Sequence, residues 1–296
     1  MKDEKQGVTT MAKAFFGPGG NSEAFALAGY KSTLFAPSWI SEIGLDAYEY
    51  EAGNGLSASP AMLVSIGAEA KAHNVKMSYH TPYFISLSGV VTETRLKSIG
   101  YIRESLDAAR LLGAKTIVVH CGSCAKISRD EAMRLAADTL IRTLNEVDTY
   151  GIKIGIETMG KKNQLGTLEE VLELCRIDSV FAPVVDFGHL NARDCGGVFK
   201  TADDYSRVFE RIDRALGADY ANNLHCHFSK IEWTDKGEKK HLTFEDTVFG
   251  PDYEPFVEAI IKGGYSPTVI CESAGTQSDD ALKMKKYYLE NYNDKS

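Results

Sequence analysis

The sequence predicts an α/β fold, a (β/α)8 TIM barrel, on two observations. Short apolar runs of strand character alternate eight times with helical stretches, and the connections between them are short. Most of these runs end in histidine, aspartate or glutamate, and a parallel barrel gathers its functional side chains at such strand ends. The 296 residues suit one barrel. We therefore predict a flexible leader over residues 1–11 and a single domain over residues 12–296.

The individual elements follow from local patterns. The apolar runs predict strands at residues 12–16, 44–50, 75–80, 115–120, 152–157, 180–186, 223–228 and 268–272. Apolar positions at helical spacing predict helices at residues 22–28, 60–73, 93–112, 129–150, 168–175, 202–216, 251–262 and 279–291. Thr167 with Glu170 three positions later is a capping box for the sixth helix. Residues 229–250 are predicted to be a polar loop.

Composition limits the class of protein. The apolar content of 44% and charged content of 25% are typical of a globular protein. No apolar run approaches the ~20 residues of a membrane span, and the first residues lack the apolar core of a signal peptide. We therefore expect a cytoplasmic protein without a membrane partner. The net charge of −8 disfavours non-specific binding of polyanions, but it does not exclude a nucleic-acid groove. Cys121 and Cys124 form a lone C-x-x-C, a weak signal for redox or zinc-thiolate chemistry.

Imidazoles and carboxylates collect at the strand ends. Six of seven histidines and three acids lie there or in the loop after strand seven: His80, His120, His189, His225, His227, His241, Glu157, Asp186 and Glu272. Each residue alone is more often a hydrogen-bonded structural group. Together they would each need a buried partner, because an unpaired buried charge costs several kcal/mol. Shared cations satisfy all of them, so we predict a metal site.

The donor set also indicates which ions, and how many. Imidazole and carboxylate without thiolate favour Zn, Mn or Fe, and the ligands are too numerous for one ion. Two or three clustered ions are typical of enzymes that hydrolyse phosphate esters.

At the end of strand six, Gly188 is expected to let the chain turn sharply after Asp186, so that His189 faces the same mouth.

Seven stretches carry a resemblance that covers nearly the whole chain. They are YHTPYF (79–84), VHCG (119–122), GIET (155–158), VDFGH (185–189), the segment from LH (224–225) to SK (229–230), HLTF (241–244) and CES (271–273). In order and spacing they resemble the endonuclease IV (deoxyribonuclease IV) family, AP endonuclease family 2, among the xylose-isomerase-like TIM barrels. The resemblance implies the barrel fold and a cluster of three zinc ions.

The resemblance also implies which residues bind each ion. The first zinc would take His80 and His120, with Glu157 bridging to the second, and the second would take Asp186, His225 and Glu272. The third would take His189 and His241. The family has an aspartate two residues before that last histidine, where this chain has Lys239. Glu238 or Asp235 would then substitute, or the third ion would have fewer ligands or be absent. His227 matches no family ligand and is a spare ligand, a group that supports the ligands, or a structural histidine.

The activity implied is that of a zinc-dependent AP endonuclease (hydrolase), cutting the DNA backbone 5′ to an abasic site in base excision repair. Glu157 and Glu272 would be the catalytic residues, and the partner would be double-stranded DNA with abasic lesions. No obligate protein partner is implied. Tyr83 and Phe84 match the pair that enters the DNA stack in the family, the alternative being that both rings only pack. Lys230 is a candidate phosphate contact.

A rival hypothesis comes from the same superfamily. A sugar isomerase or epimerase would hold one metal with the quartet Glu157, Asp186, His225 and Glu272. The acidic charge and Lys239 favour this rival, whereas the pair His80 and His120 favours the nuclease, because one ion needs no second set of ligands. A metal-dependent binding protein without turnover is a third possibility.

Overall fold

The computed structural model describes residues 13–292, and the predicted leader at residues 1–11 lies outside that range. Eight parallel strands form one sheet and two further strands form an antiparallel hairpin. The strands of the sheet are β1 (Phe15–Pro18), β2 (Ala47–Glu51), β3 (Lys76–His80), β4 (Thr116–His120), β5 (Lys153–Glu157), β6 (Phe181–Asp186), β7 (His225–Phe228) and β10 (Thr268–Cys271). The hairpin strands are β8 (Ile231–Thr234) and β9 (Gly237–His241).

Helices connect the strands and cover the outside of the sheet. They are α1 (Glu23–Leu27), α2 (Ala36–Glu42), α3 (Pro60–Ala72), α4 (Thr92–Leu112), α5 (Arg129–Glu146), α6 (Leu168–Cys175), α7 (Phe187–Arg193), α8 (Ala202–Leu216), α9 (Ala218–Asn222), α10 (Tyr253–Gly263) and α11 (Gln277–Tyr292). The capping box of Thr167 and Glu170 is present at the start of α6. Of these helices, α2, α7 and α9 are short and were not predicted. No helix within residues 13–292 is long and apolar enough to cross a membrane.

The strand order closes the sheet into a barrel. The strands follow one another as β1-β10-β7-β6-β5-β4-β3-β2, every pair parallel. The ring closes between β1 and β2, where the Asp46 N–H donates to the Phe16 carbonyl and the Gly20 N–H donates to the Glu49 carbonyl, both at 2.9 Å. A Cβ at Gly17 would lie 1.7 Å from the Ala47 carbonyl oxygen, so this close approach requires glycine. The predicted (β/α)8 TIM barrel is confirmed.

The apolar core lies between the sheet and the helices, and it includes the fully buried rings of Phe16, Phe181, Phe187, Phe209, Phe228 and Phe256. Side chains alternate along each strand, so the residues between these core positions point into the barrel. Toward the carboxyl ends of the strands the inward positions are polar. All six cysteines are free, and Cys121 is buried.

The predicted polar loop at residues 229–250 is wrong in its first half, where the chain forms the hairpin of β8 and β9. The hairpin strands are mostly polar, because one face is exposed and the other covers the mouth of the barrel. Their composition therefore lacks the apolar run by which a strand is predicted.

Candidate metal centre

An open cavity of about 490 Å³ occupies the mouth at the carboxyl ends of the strands. Its polar lining comes from five strands (β2, β3, β4, β5 and β9), from the connections after β5 and β10, and from helices α7 and α11. The lining includes Glu51, His80, His120, Glu157, Lys161, Gln164, His189, Glu238, His241, Glu272 and Gln277. This is the face of a TIM barrel at which active sites lie.

Glu157, at the end of β5, lies at the centre of the cluster and is fully buried. Its Oε2 is 3.0 Å from Nε2 of His120 and 3.5 Å from Nε2 of His80. Its Oε1 is 3.1 Å from Nδ1 of His227 and 3.4 Å from Nδ1 of His189. Each oxygen of this carboxylate therefore lies close to two imidazoles, which is the arrangement expected of a bridging ligand.

The first group consists of His80, His120 and Glu157, whose ligand atoms all lie within 4.8 Å of one another. The β4–β5 register places His120 directly beside Glu157. The Nδ1–H of His80 donates to the carbonyl of Thr81 at 2.9 Å. Because a carbonyl only accepts, this bond assigns a proton to Nδ1, and Nε2, which faces Glu157, is the nitrogen of His80 that would bind an ion. Metal-binding histidines are commonly anchored in this way through their other nitrogen.

The second group consists of Glu157, Asp186, His227 and Glu272. Asp186 ends β6 and caps the start of α7, because its Oδ1 accepts the His189 N–H at 2.7 Å. The expected sharp turn at Gly188 is therefore wrong, since Gly188 lies inside α7. A Cβ at Gly188 would lie 2.5 Å from the Ser229 carbonyl oxygen, so the glycine permits close packing of α7 against the chain after β7.

Strand β7 differs from the expectation at one position. The family resemblance implies His225 in the second group, but the structure places His227 there, with its Nδ1 3.3 Å from Oε1 of Glu272. In the β6–β7 register, His227 pairs with Asp186, whereas His225 pairs with Val184, one layer deeper. The Nε2–H of His225 instead donates a 2.9 Å hydrogen bond to Oε2 of Glu49 on β2.

The third group consists of His189, Glu238 and His241. Nε2 of His189 lies 3.4 Å from Oε2 of Glu238, and its Nδ1–H donates to the Thr158 carbonyl at 2.9 Å. Glu238 is thus the acidic residue of the hairpin that faces the mouth. Lys239 points away from it, and its Nζ lies 2.6 Å from Glu232 on the neighbouring hairpin strand.

Several buried carboxylate oxygens lack a hydrogen-bond partner among residues 13–292, including Glu157 Oε2, Asp186 Oδ2 and Glu51 Oε1. Burial favours the neutral form of Glu157, but the neighbouring His227 and His120 hold its pKa well below the usual range. Burial raises the pKa of Glu272 to about 8, with Glu157 and Asp186 adding to the shift. Unpartnered buried oxygens beside imidazoles form a donor set that fits divalent cations.

Of the two rings predicted to contact DNA, Tyr83 lines the cavity, whereas Phe84 is not part of its lining. The Tyr83 ring is 59% exposed and lies 5.8 Å, ring centre to ring centre, from His120. The Phe84 ring is half exposed and packs against Tyr101 at 4.6 Å. Lys230 lies elsewhere: it is buried, and its Nζ contacts the Asp246 carbonyl at 2.7 Å and Asp252 at 2.9 Å. The structure therefore does not bring Lys230 to the cavity.

Sequence reasoning missed two acids of β2. Glu49 and Glu51 alternate with Tyr48 and Tyr50, and Oε2 of Glu51 lies 3.9 Å from Nδ1 of His80. The predicted second strand ended at residue 50, which left Glu51 in a loop. The period-two alternation of acids and tyrosines is the signal that would have placed both acids inside the barrel. Lys161 lines the cavity from the β5–α6 connection and carried no such signal.

Comparisons with known proteins match this architecture. The model of the xylose isomerase-like TIM barrel family matches residues 37–289. An uncharacterized protein of Methanocaldococcus jannaschii is 29% identical over 218 residues, covering 72% of this chain and 77% of that protein. A protein of Listeria monocytogenes named probable endonuclease 4 is 27% identical over 221 residues, covering 70% of this chain and 72% of its own.

Solved structures with this fold include both enzyme classes considered above. A D-tagatose 3-epimerase-like protein superposes with a TM-score of 0.68 at 23% identity, covering 87% of this chain and 93% of its own. Endonuclease IV from Thermus thermophilus superposes with a TM-score of 0.65 at 17% identity, covering 96% and 100%. At these identities the structures establish the fold alone. Because the family model matches most of the chain, residues 37–289, the chain belongs to the xylose isomerase-like TIM barrel family.

Proposed function

We propose that this protein is a metal-dependent phosphodiesterase that cuts DNA 5′ to an abasic site, as an AP endonuclease of base excision repair. The observation that carries the proposal is the adjacency of three ligand groups around one cavity, two of them sharing Glu157. A single-metal enzyme needs only one such group. The relatives named probable endonuclease 4 support the same activity.

The residues that would hold the ions are the three groups described above, with His227 in the position that the sequence analysis gave to His225. Imidazole and carboxylate donors favour zinc, with manganese or iron as alternatives. The chemistry that divalent ions supply in such a site is activation of water and neutralisation of charge on the phosphate.

The chain's own groups have separate tasks in this proposal. Glu157 holds the first two groups in register through its two oxygens. Glu272 contributes its carboxylate to the second group and would orient the attacking water. Lys161 lines the cavity, and its ammonium group would contact a phosphate.

Tyr83 is the candidate wedge at the lesion. A ring that is more than half exposed and lies against His120 is placed to stack where a base is missing, and base–aromatic stacking contributes ~1–3 kcal/mol. We expect Tyr83→Ala to weaken binding to a duplex with an abasic site by about 5- to 100-fold, measured by fluorescence anisotropy. An equal loss on intact duplex would contradict the wedge.

The direct test is cleavage of a labelled duplex that carries one abasic-site analogue. We expect a single nick 5′ to the analogue, no nick in the matched intact duplex, and loss of nicking with chelator that added zinc reverses. A labelled duplex that stays uncut under all metal conditions would overturn the proposal. Elemental analysis of the purified protein should give two or three ions per chain.

A sugar isomerase or epimerase is the second candidate, and one observation favours it. Glu51 adds a further carboxylate to the cavity, which makes the mouth more acidic and less attractive to a phosphate backbone. This candidate predicts one ion per chain and interconversion of a ketose without any nicking of DNA. Both reactions are measurable on the same preparation.

A further inference from the structure

A second polar layer lies beneath the mouth, deeper in the barrel. It consists of Glu49 on β2 and His225 on β7, joined by a 2.9 Å hydrogen bond between Oε2 and Nε2. Glu49 is fully buried, and neither residue lines the cavity. Burial of a carboxylate at this depth costs several kcal/mol unless it has partners. Neither Glu49 nor His225 belongs to the three ligand groups of the mouth.

The other oxygen of Glu49 faces a candidate metal ligand. Glu49 Oε1 lies 2.9 Å from Nε2 of His227, and Nδ1 of the same ring lies 3.1 Å from Glu157 Oε1 and 3.3 Å from Glu272 Oε1. The His227 ring is therefore held between one carboxylate below and two above. Neither Glu49 Oε1 nor His227 Nε2 makes a hydrogen bond of ordinary geometry within residues 13–292.

Ion binding by the second group would determine which nitrogen of His227 carries the proton. The longer contact to Glu157 has hydrogen-bond geometry, while the 2.9 Å contact to Glu49 is off the N–H direction and does not. Nδ1 is the nitrogen that faces Glu157 and Glu272, so an ion held by these acids would take the Nδ1 lone pair. A neutral imidazole has only one N–H, which would then lie on Nε2, 2.9 Å from Glu49 Oε1.

We propose that Glu49 is a positioning residue: it fixes His227 as the Nε2–H tautomer, so that Nδ1 is the ligand atom for the group of Glu157, Asp186 and Glu272. His225 holds the other oxygen of Glu49 and thereby sets the direction of the first. The inference rests on the metal-binding part of the proposed function and not on DNA cleavage. It also explains why β7 carries two histidines on one face, one as ligand and one as support.

The test uses Glu49→Gln in the full-length protein loaded with zinc. An amide can turn either an acceptor or a donor toward His227, so the preference for one tautomer is lost. We expect zinc affinity at one site to fall by about 10- to 100-fold, as for other outer partners of metal ligands, measured by competition with a chromophoric chelator. In ¹⁵N-histidine spectra, the Nε2–H signature of His227 should be present in the wild-type protein and lost or mixed in the variant.

Glu51→Gln is the matched control, because it removes a carboxylate from the same face of the same strand. Glu51 lies near His80, so this variant should leave the His227 spectrum unchanged. His225→Gln should have a smaller effect on zinc affinity than Glu49→Gln, because the contact between Glu49 and His227 remains.

Three results would overturn the inference. They are a proton on Nδ1 of His227 in the zinc-loaded wild-type protein, unchanged spectrum and affinity in Glu49→Gln, and failure of the wild-type protein to bind a divalent ion. If Glu49→Gln does not fold, the wild-type spectrum alone decides. Failure to nick abasic DNA with these zinc results intact would overturn the nuclease proposal and leave the role of Glu49 standing.

Discussion

The strand-borne and hairpin-borne ligands of the mouth are held in different ways. His120 and Glu157 are neighbours in the β4–β5 ladder, so the hydrogen bonds of the sheet fix their separation. Glu238 and His241 lie on the hairpin, which is tied to the barrel by contacts such as the Glu238 N–H to the Gly160 carbonyl at 3.0 Å. The first set is determined by the fold, and the second depends on how one loop packs on another. The hairpin can therefore present its acid one position earlier than the family pattern implies. Glu238 faces the mouth, and Lys239 does not.

The largest effect should follow from Glu157→Gln, which removes the acid shared by two strand-borne groups. The variant keeps the volume of the side chain but leaves His80, His120 and His227 without their common anion. We expect the loss of two ions per chain and a fall in kcat/KM for the abasic duplex of at least about 10³-fold, equivalent to ~4 kcal/mol. Elemental analysis and single-turnover nicking measure the two quantities.

The hairpin-borne group should remain occupied in that variant if the two regions are independent. One ion per chain after Glu157→Gln would support the comparison. Loss of all ions would mean that the hairpin site forms only when the strand-borne sites are filled.

A smaller effect is expected from Glu238→Gln, which changes only the hairpin-borne group. Zinc affinity at one site should fall by about 10- to 100-fold, and the other two ions should remain. Lys239→Ala is the matched control, because its pair with Glu232 is exposed and such pairs contribute ~0–1 kcal/mol. Zinc content that falls in Lys239→Ala as much as in Glu238→Gln would contradict this assignment of the hairpin register.

Sequence reasoning predicted the positions of the strand-borne candidate ligands, because a terminal His, Asp or Glu on an apolar run is visible in the chain. His80, His120, Glu157, Asp186 and Glu272 all lie at the mouth as expected. The exception is the choice between His225 and His227. The two residues share one face, so periodicity gives their direction but not their depth. Depth depends on the offset between neighbouring strands, which is a property of the closed barrel.

The hairpin was beyond sequence reasoning for a different reason. A polar, half-exposed pair of strands has no apolar run to reveal it, and the position of Glu238 depends on an irregularity in pairing between Glu232 and Trp233. Lys230 was misplaced for the same reason. Its neighbours Asp246 and Asp252 become neighbours only after the hairpin and the following loop fold back over β7.

The smallest effect should come from Lys230→Met, which tests how the base of the hairpin is held. The buried ammonium of Lys230 joins the start of β8 to the loop at residues 246–252, but its acidic partner Asp252 is largely exposed. Loss of this contact should therefore cost about 1 kcal/mol of unfolding free energy. If the same free energy were lost from zinc binding at the hairpin-borne site, zinc affinity there would fall by about 5-fold. The affinities of the strand-borne sites would be unchanged. Urea unfolding and chelator competition measure the two effects. A selective loss of affinity for DNA with stability and zinc binding intact would instead restore Lys230 as a phosphate contact, and the packing of the hairpin base would then need another explanation.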